Sequence, residues 1–383
     1  MKKWFLHILL LAGLFGVLTT SCSQEEGLEP QVSIEKVPVT FSIAMGNSST
    51  RSRADEDKTW NDEYETSDII DEFENEIDLN QLYVELTLTS VDEDGETKTT
   101  TVVMNPISCW KINNEEDLYQ IVGEVNVNIN SETTYKKAKV MVYANNNGKT
   151  EVFETQYAGA LEGKGVNYIP MWGVKTIENF TLTPGSLSDF GSISLLRAMA
   201  KIEVTWEANS NFAQNGYTIN SVGLNKYNTK GYLKPSFSDP EPENTTDYKI
   251  NAINSLASPP DATGLLFFKA SNNSYVIYIP EYENPKDNNS DDVVIWLDIL
   301  DTEGNSISSS LNETHGSITM TDMDLVRNHW YKYIIKDVVI ETEVLFNLQY
   351  QVMEWTPINN GSLTFGGESG AIHTPKDEEE EEE

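Results

Sequence analysis

Residues 37–54 read VPVTFSIAMGNSSTRSRA. Val37, Val39, Phe41, Ile43 and Met45 share one parity, and Pro38, Thr40, Ser42 and Ala44 take the other. This alternation is the mark of a β-strand with one buried face. The strand runs into Gly46-Asn47-Ser48-Ser49-Thr50, a polar stretch with no apolar period, and then into Arg51 and Arg53. A core strand is thus joined to the rest of the chain by a soft linker carrying two bonds that a trypsin-like protease would choose.

Upstream, Met1-Lys2-Lys3 precedes an almost wholly apolar run from Trp4 to Leu18. The run is shorter than the ~20 residues of a comfortable membrane span, and its layout is that of a secretory signal peptide, residues 1–21. It ends in Leu18-Thr19-Thr20-Ser21-Cys22. Small residues before a cysteine, directly behind an apolar segment, resemble a bacterial lipobox, although Thr19 stands where a leucine is usual. On that reading Cys22 is acylated and becomes the new N-terminus. An ordinary signal peptide with an incidental cysteine is the other reading. Ser23-Gln24-Glu25-Glu26 resembles the surface-export signal of lipoproteins in Gram-negative anaerobes, which points to the outer face of the outer membrane. Each buried acyl methylene contributes ~0.8 kcal/mol, so a multiply acylated cysteine anchors firmly. Residues 22–36 then form a polar tether.

The 383-residue chain is long enough for two domains after the signal. It has only two cysteines. Once Cys22 is acylated, Cys109 has no intrachain partner, so it is expected to be a small buried hydrophobe in a fold without a disulfide framework. With 26 basic against 61 acidic residues the net charge is −35. No basic stripe is present to release counterions from phosphates, which argues against a nucleic-acid partner; the charge serves solubility outside the cell. The tail 358–383 ends in Glu378 to Glu383, like charges that repel and favour disorder. Residues 55–76 are acidic with scattered apolar residues, and read as a loop with a short helix near Ile69, Ile70 and Phe73.

Most of the remainder alternates with period two. Leu82 to Leu88, Thr99 to Met104, Val125 to Ile129 and Lys137 to Tyr143 read as strands. So do Lys201 to Trp206, Ser221 to Tyr227, Tyr275 to Ile279, Val293 to Leu300, Trp330 to Ile335 and Val344 to Val352. Asp94-Gly95 is a hairpin turn, and Glu303-Gly304-Asn305 and Asn359-Asn360-Gly361 are further turns. Many short strands at this spacing predict an all-β chain of β-sandwiches. Residues 194–202, SLLRAMAKI, suit either a helical turn or a strand. A boundary is expected at Pro184-Gly185-Ser186, giving an N-terminal sandwich over 37–185 and a C-terminal one over 186–357.

No catalytic constellation is legible. His7 lies in the signal, His315, His329 and His373 are scattered, and neither cysteine completes a Cys/His metal set. No nucleophile elbow, P-loop or dinucleotide fingerprint occurs. Asp92, Asp94 and Gly95 begin like a calcium loop, but Val103 stands where the bidentate glutamate belongs. Asp287, Asp291 and Asp292 form a solvated loop or a weak calcium site. No enzyme, metal site or cofactor is expected.

Five phrases, YIPMWG (168–173), LLRAMAKIEV (195–204), VIYIPEYEN (276–284), VRNHWYKYII (326–335) and YQVMEWT (350–356), resemble in order and spacing the fimbrillins, the lipoprotein pilins of type V pili. The likeness runs from the lipobox to Thr356; residues 357–383 match nothing in that family. The residues themselves read plainly. Trp172, Trp330 and Trp355 are expected to pack, and Arg197 and Lys201 to pair with acids at a domain interface. The resemblance implies more: two stacked Greek-key β-sandwiches of the transthyretin-like kind, in a precursor that is lipidated and carried to the cell surface. An arginine-specific protease would cut at Arg53, or at Arg51, and remove the strand of Val37, Val39, Phe41, Ile43 and Met45. A strand from another pilin subunit would fill the groove. The resemblance places that donor at the C-terminal end, where Val344, Phe346, Leu348, Tyr350 and Val352 alternate before Met353 and Trp355 switch parity. The switch reads as a β-bulge serving two surfaces or as a corner within one sandwich. Arg51 and Arg53 in an unprocessed surface loop is the plainer reading of the linker. The implied function is a stalk or tip subunit of a fimbria. The alternatives are a pilus anchor that keeps its lipid, and a monomeric surface glycan-binding lipoprotein with a sugar platform at Trp60, Trp110 or Tyr282.

Overall fold

The computed structural model describes residues 34–45, 74–91, 94–113, 116–129, 132–157, 166–237, 248–257, 265–284, 292–307, 316–320, 323–340 and 344–354. All lie in the compact unit Ile34–Glu383. The expected signal, Cys22, the tether before Ile34, Arg51, Arg53, Trp60, the helix near Ile69, Trp355 and the glutamate tail lie outside the described residues.

The chain is nearly all strand. The first half holds β1 (Ile34–Met45), β2 (Tyr83–Val91), β3 (Thr97–Asn113), β4 (Glu116–Asn128), β5 (Thr133–Ala144), β6 (Val152–Glu154), β7 (Met171–Leu182) and β8 (Ser188–Arg197). The second begins with β9 (Met199–Trp206), a one-turn helix α1 (Asn211–Gln214) and β10 (Thr218–Leu224). Short pieces follow: β11 (Tyr227–Asn228), β12 (Lys230–Tyr232), β13 (Ser236–Phe237), β14 (Tyr248–Lys249), β15 (Leu256–Ala257) and β16 (Leu265–Leu266). It ends with β17 (Phe268–Ser271), β18 (Ser274–Pro280), β19 (Val294–Leu300), β20 (Gly316–Thr319), β21 (His329–Ile340) and β22 (Val344–Glu354).

In the first half, hydrogen bonding runs β1-β4-β3-β2-β5-β7-β8 and closes on itself as a barrel. β2, β3 and β4 are joined in sequence, and β1, reached by a long connection, lies beside β4, which is a Greek-key order. The pairing around the barrel changes at two places. β3 pairs with β2 up to Met104 and with β4 from Met104 onward, with a register shift at Pro106, so each half of this long strand serves a different neighbour. β7 and β8 are paired in the ladder at Met171↔Arg197 and Trp172↔Leu196 alone. Between the two faces Val84, Leu86, Val140, Val142, Ile121 and Val125 form the first core with the inward side of β1.

The second half packs a sheet of order β16-β10-β19-β20 against one of order β17-β18-β9-β21-β22. Val222, Leu224, Ile295 and Leu297 from one meet Ile202, Val204, Ile277 and Tyr333 from the other in a single core. β9 is buried at every residue, because its other face looks toward the first half. There Val276, Tyr278 and Trp330 join the first core.

Two expectations about the join change. Pro184-Gly185-Ser186 is the turn between β7 and β8, with Gly185 at φ +72°, not a domain boundary. β8 returns to close the barrel, so the first half extends to Arg197 and the change of sheet falls at Ala198. SLLRAMAKI is strand on both sides of that residue. A turn rich in proline and glycine marks a chain reversal, and a reversal inside a domain has the same local chemistry as one between domains.

Candidate functional site

β1 is an interior strand. It pairs antiparallel with β4 from Ile34↔Asn128 to Ala44↔Leu118 and parallel with β8 from Val39↔Ser188 to Met45↔Leu195. Val37, Val39, Phe41 and Ile43 are fully buried; the side chain of Met45 lies outside the described residues. Opposite Phe41 the β8 register slips, so that Phe190 and Gly191 face one residue. Gly191 supports this bulge at φ +68°, a left-handed conformation natural to glycine, and its N–H donates to Asp189 Oδ1 at 2.8 Å. The bulge lets Phe190 lie 6.4 Å from Phe41 and 4.8 Å from Phe180, ring centre to ring centre. Nearby, burial pushes the Lys175 amine below the usual lysine range, against the opposing pull of Asp189.

The outward side of β1 is also fixed. Thr40 Oγ1 donates to Ile121 O at 2.9 Å. Gln120 Nε2 donates to Phe41 O at 3.2 Å and to Thr40 Oγ1. Lys36 pairs with Glu124 at 3.3 Å on the surface, which adds little. Burying four apolar side chains of this size is worth ~1.5–3 kcal/mol each, a gross upper bound of ~6–12 kcal/mol. Removing β1 would leave a slot ~40 Å long at ~3.3 Å per residue, with unpaired backbone along both β4 and β8.

Where the linker re-enters the described chain, residues 74–78 are pinned between the two halves. Glu74, within the acidic stretch read as a loop, is fully buried rather than solvated. Its Oε1 lies 2.6 Å from Lys201 Nζ and accepts from Tyr278 OH at 2.5 Å. Lys201 stands 4.2 Å from the centre of the Trp330 ring. Asn145, at φ +60°, donates to Glu76 O and Ile169 O and accepts from Asp78 N. Arg197 is buried here too, with Glu74, Asn75 and Asn328 as acceptors. Lys201 therefore pairs with an acid between the two halves, as expected, whereas Arg197 donates to the Glu74 backbone carbonyl and the amides of Asn75 and Asn328; Glu74 was missed because one buried carboxylate looks like its neighbours in an acidic run.

A second buried pair, Arg327–Glu281 at 2.6 Å, holds the carbonyls of Leu233 and Tyr232 through the same guanidinium. This ties β12 to the second sandwich, while β12 pairs with β6 of the first half. Glu203 accepts from Ser274 at 2.7 Å and faces Lys332 at 3.6 Å. Burial lowers the Lys332 amine below its ordinary value more than Glu203 raises it.

β22 is the edge strand of the five-stranded sheet and pairs with β21 from Val344↔Ile340 to Glu354↔His329. Val352 is buried, and Phe346, Leu348 and Tyr350 are partly buried against the second core. The only register shift lies between Ile335 and Asp337 of β21. The pairing of β22 runs to Glu354 with no extra residue on its own side; Trp355, the second residue of the parity switch, lies outside the described residues.

Of the aromatic positions, Tyr282 is buried and offers no platform, whereas Trp110 is 47% exposed on β3. Cys109 is half-buried against the first core. Asp292 is buried, and its carbonyl accepts from Asn225 at 3.2 Å; Asp287 and Asp291 lie outside the described residues. Among the described residues no group of three or more His, Cys, Asp or Glu side chains is arranged to hold a metal ion.

No protein-family model matches this chain, and no curated protein does. Solved structures do. The tip fimbrial protein Mfa3 of Porphyromonas gingivalis, in a form with C-terminal truncation, is 12% identical; the match covers 84% of this chain and 100% of that one, at a TM-score of 0.38. A fimbrial assembly protein of Parabacteroides distasonis is 14% identical over 83% of this chain and 99% of that one, at a TM-score of 0.38. Superpositions this loose at identities this low assign no function to this chain.

Proposed function

We propose that this chain is a structural subunit, stalk or tip, of a cell-surface fimbria, and that it assembles by exchange of its first strand. The observation that carries the reading is the seat of β1: an interior strand of one barrel whose following linker, residues 46–53, holds Arg51 and Arg53. The five fimbrillin-like phrases support the same reading independently. A precursor lipidated at Cys22 reaches the outer membrane, an arginine-specific protease cuts at Arg53 or Arg51, and β1 gives way to an extended strand of another subunit. Exchange by β-strand addition satisfies both unpaired edges, β4 and β8, at once. The incoming strand must offer alternating apolar residues in place of Val37, Val39, Phe41 and Ile43. Val344, Phe346, Leu348, Tyr350 and Val352, with Trp355 beyond them, have that pattern.

The test is the double variant Arg51→Ala with Arg53→Ala, expressed as the full chain. It should reach the cell surface, remain monomeric and keep β1. Polymer formation equal to that of the natural sequence would contradict the reading.

A monomeric glycan-binding lipoprotein is the second reading, and the exposed Trp110 ring is the observation that favours it. Loss of binding to a surface polysaccharide in Trp110→Ala, with assembly absent in the natural sequence, would establish it.

A further inference from the structure

One row of side chains crosses three strands on the face of the five-stranded sheet that looks toward the first half. Lys201 of β9 is the cross-strand partner of Trp330 on β21 and of Tyr278 on β18. The Lys201 amine lies 4.2 Å from the centre of the Trp330 ring, and the Tyr278 ring stacks on Phe268 at 5.8 Å. Glu74 enters this row from the segment before β2. Its Oε1 lies 2.6 Å from Lys201 Nζ, with both side chains wholly shielded from solvent, and the same oxygen accepts from Tyr278 OH at 2.5 Å. The Glu74 backbone is held in turn, since its carbonyl accepts from Arg197 Nε at 3.1 Å. An amine, a carboxyl group and a hydroxyl able to carry protons between them thus meet in a dry enclosure walled by aromatic rings.

We propose that Glu74 and Lys201 condense into an intramolecular amide, an isopeptide bond that the folded chain forms on itself. An amine 2.6 Å from one carboxyl oxygen stands at about 3–3.5 Å from the carboxyl carbon, a near-attack separation. The Lys201 ammonium supplies both protons that the leaving oxygen needs. One passes directly to Oε1. Nζ then attacks Cδ and forms the C–N bond, while Tyr278 gives its hydroxyl proton to Oε1 and takes the second proton of the nitrogen. Oε1 departs as water, Oε2 remains as the amide carbonyl oxygen, and one hydrogen stays on Nζ. Ammonium and carboxylate become amide and water, so the step consumes no co-reactant. Burial favours the product, because two charges held out of water carry a desolvation penalty that a neutral amide escapes. The place of the bond in the chain gives it a use. Glu74 and Lys201 are 127 residues apart; β2 to β8 all lie between them, and β1 lies outside. The amide closes the first half, without its first strand, into a covalent ring, and long loops gain most from such closure. The inference does not rest on the fimbrial reading. Under that reading, the ring holds the ends of the barrel together while β1 is replaced.

Intact mass spectrometry of the full chain, incubated folded and then denatured, tests this. The chain should be lighter by one water than its sequence from the N-terminus found by sequencing. Proteolysis should release a branched peptide joining the segments that contain Glu74 and Lys201. Lys201→Arg keeps the charge but not the amine, and should show the full mass. Tyr278→Phe keeps the ring and should form the bond about a hundredfold more slowly or worse, the usual share of general acid–base catalysis. Full mass in the natural chain, with both segments recovered as linear peptides, would overturn the proposal whether or not either variant folds. So would a lost water that persists in Lys201→Arg, since it marks dehydration elsewhere. Bond formation at the natural rate in Tyr278→Phe would overturn the proton relay. The mass is read on the monomer, so its outcome is independent of assembly.

Discussion

Several charged side chains lie inside: Arg197, Lys201, Glu203, Glu281 and Arg327 are all buried. In β9 apolar residues alternate with Lys201 and Glu203, so the strand pattern was legible, and of these charges Arg197 and Lys201 were legible as interface candidates. Their partners were not, because Glu74 and Asn75 are brought in from far along the chain. Breaking the Glu74–Lys201 pair leaves a carboxylate buried without its cation, and such losses run to ~3–5 kcal/mol. Lys201→Met should therefore lower the chemical denaturation midpoint strongly, and adding Glu74→Gln should recover part of it; a shift within error for Lys201→Met alone would show that the pair is not buried in solution. Cys109 gives a pH test. Burial pushes its thiol up to about 11, above the ordinary value near ~8.5. The folded state thus favours the protonated thiol. The contribution is complete below the unfolded value and is lost as pH rises toward the folded one. Stability of the natural chain relative to Cys109→Ala should be flat to about pH 8.5 and fall above it, and thiol reagents should label Cys109 slowly at neutral pH.

At the scale of elements, β1 was readable from nine residues because large apolar side chains take one parity and Pro38, Thr40, Ser42 and Ala44 the other, and Val37, Val39, Phe41 and Ile43 are indeed fully buried. Its neighbours were not readable: nothing in the sequence of β8 announces a parallel partner, and the turn at Pro184-Gly185 concealed that β8 belongs to the first half. β22 was legible as a strand, but its edge position depends on where β21 lies. Phe41 is the best single probe of the slot. It is fully buried and meets Phe190, so Phe41→Ala should lose ~3–5 kcal/mol through lost burial and the cavity left behind. Thermal unfolding would check this, and a loss under ~1 kcal/mol would mean that the slot collapses easily and does not need a specific occupant. Gly191→Ala belongs to the same element. A side chain at φ +68° is strained, and its Cβ would come 2.8 Å from Lys175 Nζ. The variant should lose ~1 kcal/mol or more and loosen the bulge that admits Phe190.

Across the whole molecule, the barrel of the first half and the two packed sheets of the second share the β8–β9 stretch, the pinned residues 74–78 and the β6–β12 pair. With β1 set aside, β4 still pairs with β3, and β8 keeps its pairs with β7 at Arg197 and Leu196. On the fimbrial reading we propose, each subunit would have to survive replacement of β1 and then bear load across its junction. The most direct measurement is electrophoresis, without boiling, of protein sheared from the cell surface, with N-terminal sequencing of each band. A ladder of bands whose chains begin after Arg51 or Arg53, and so lack Val37 to Met45, is the predicted result. A single monomer band that still begins upstream of Ile34 would contradict the account.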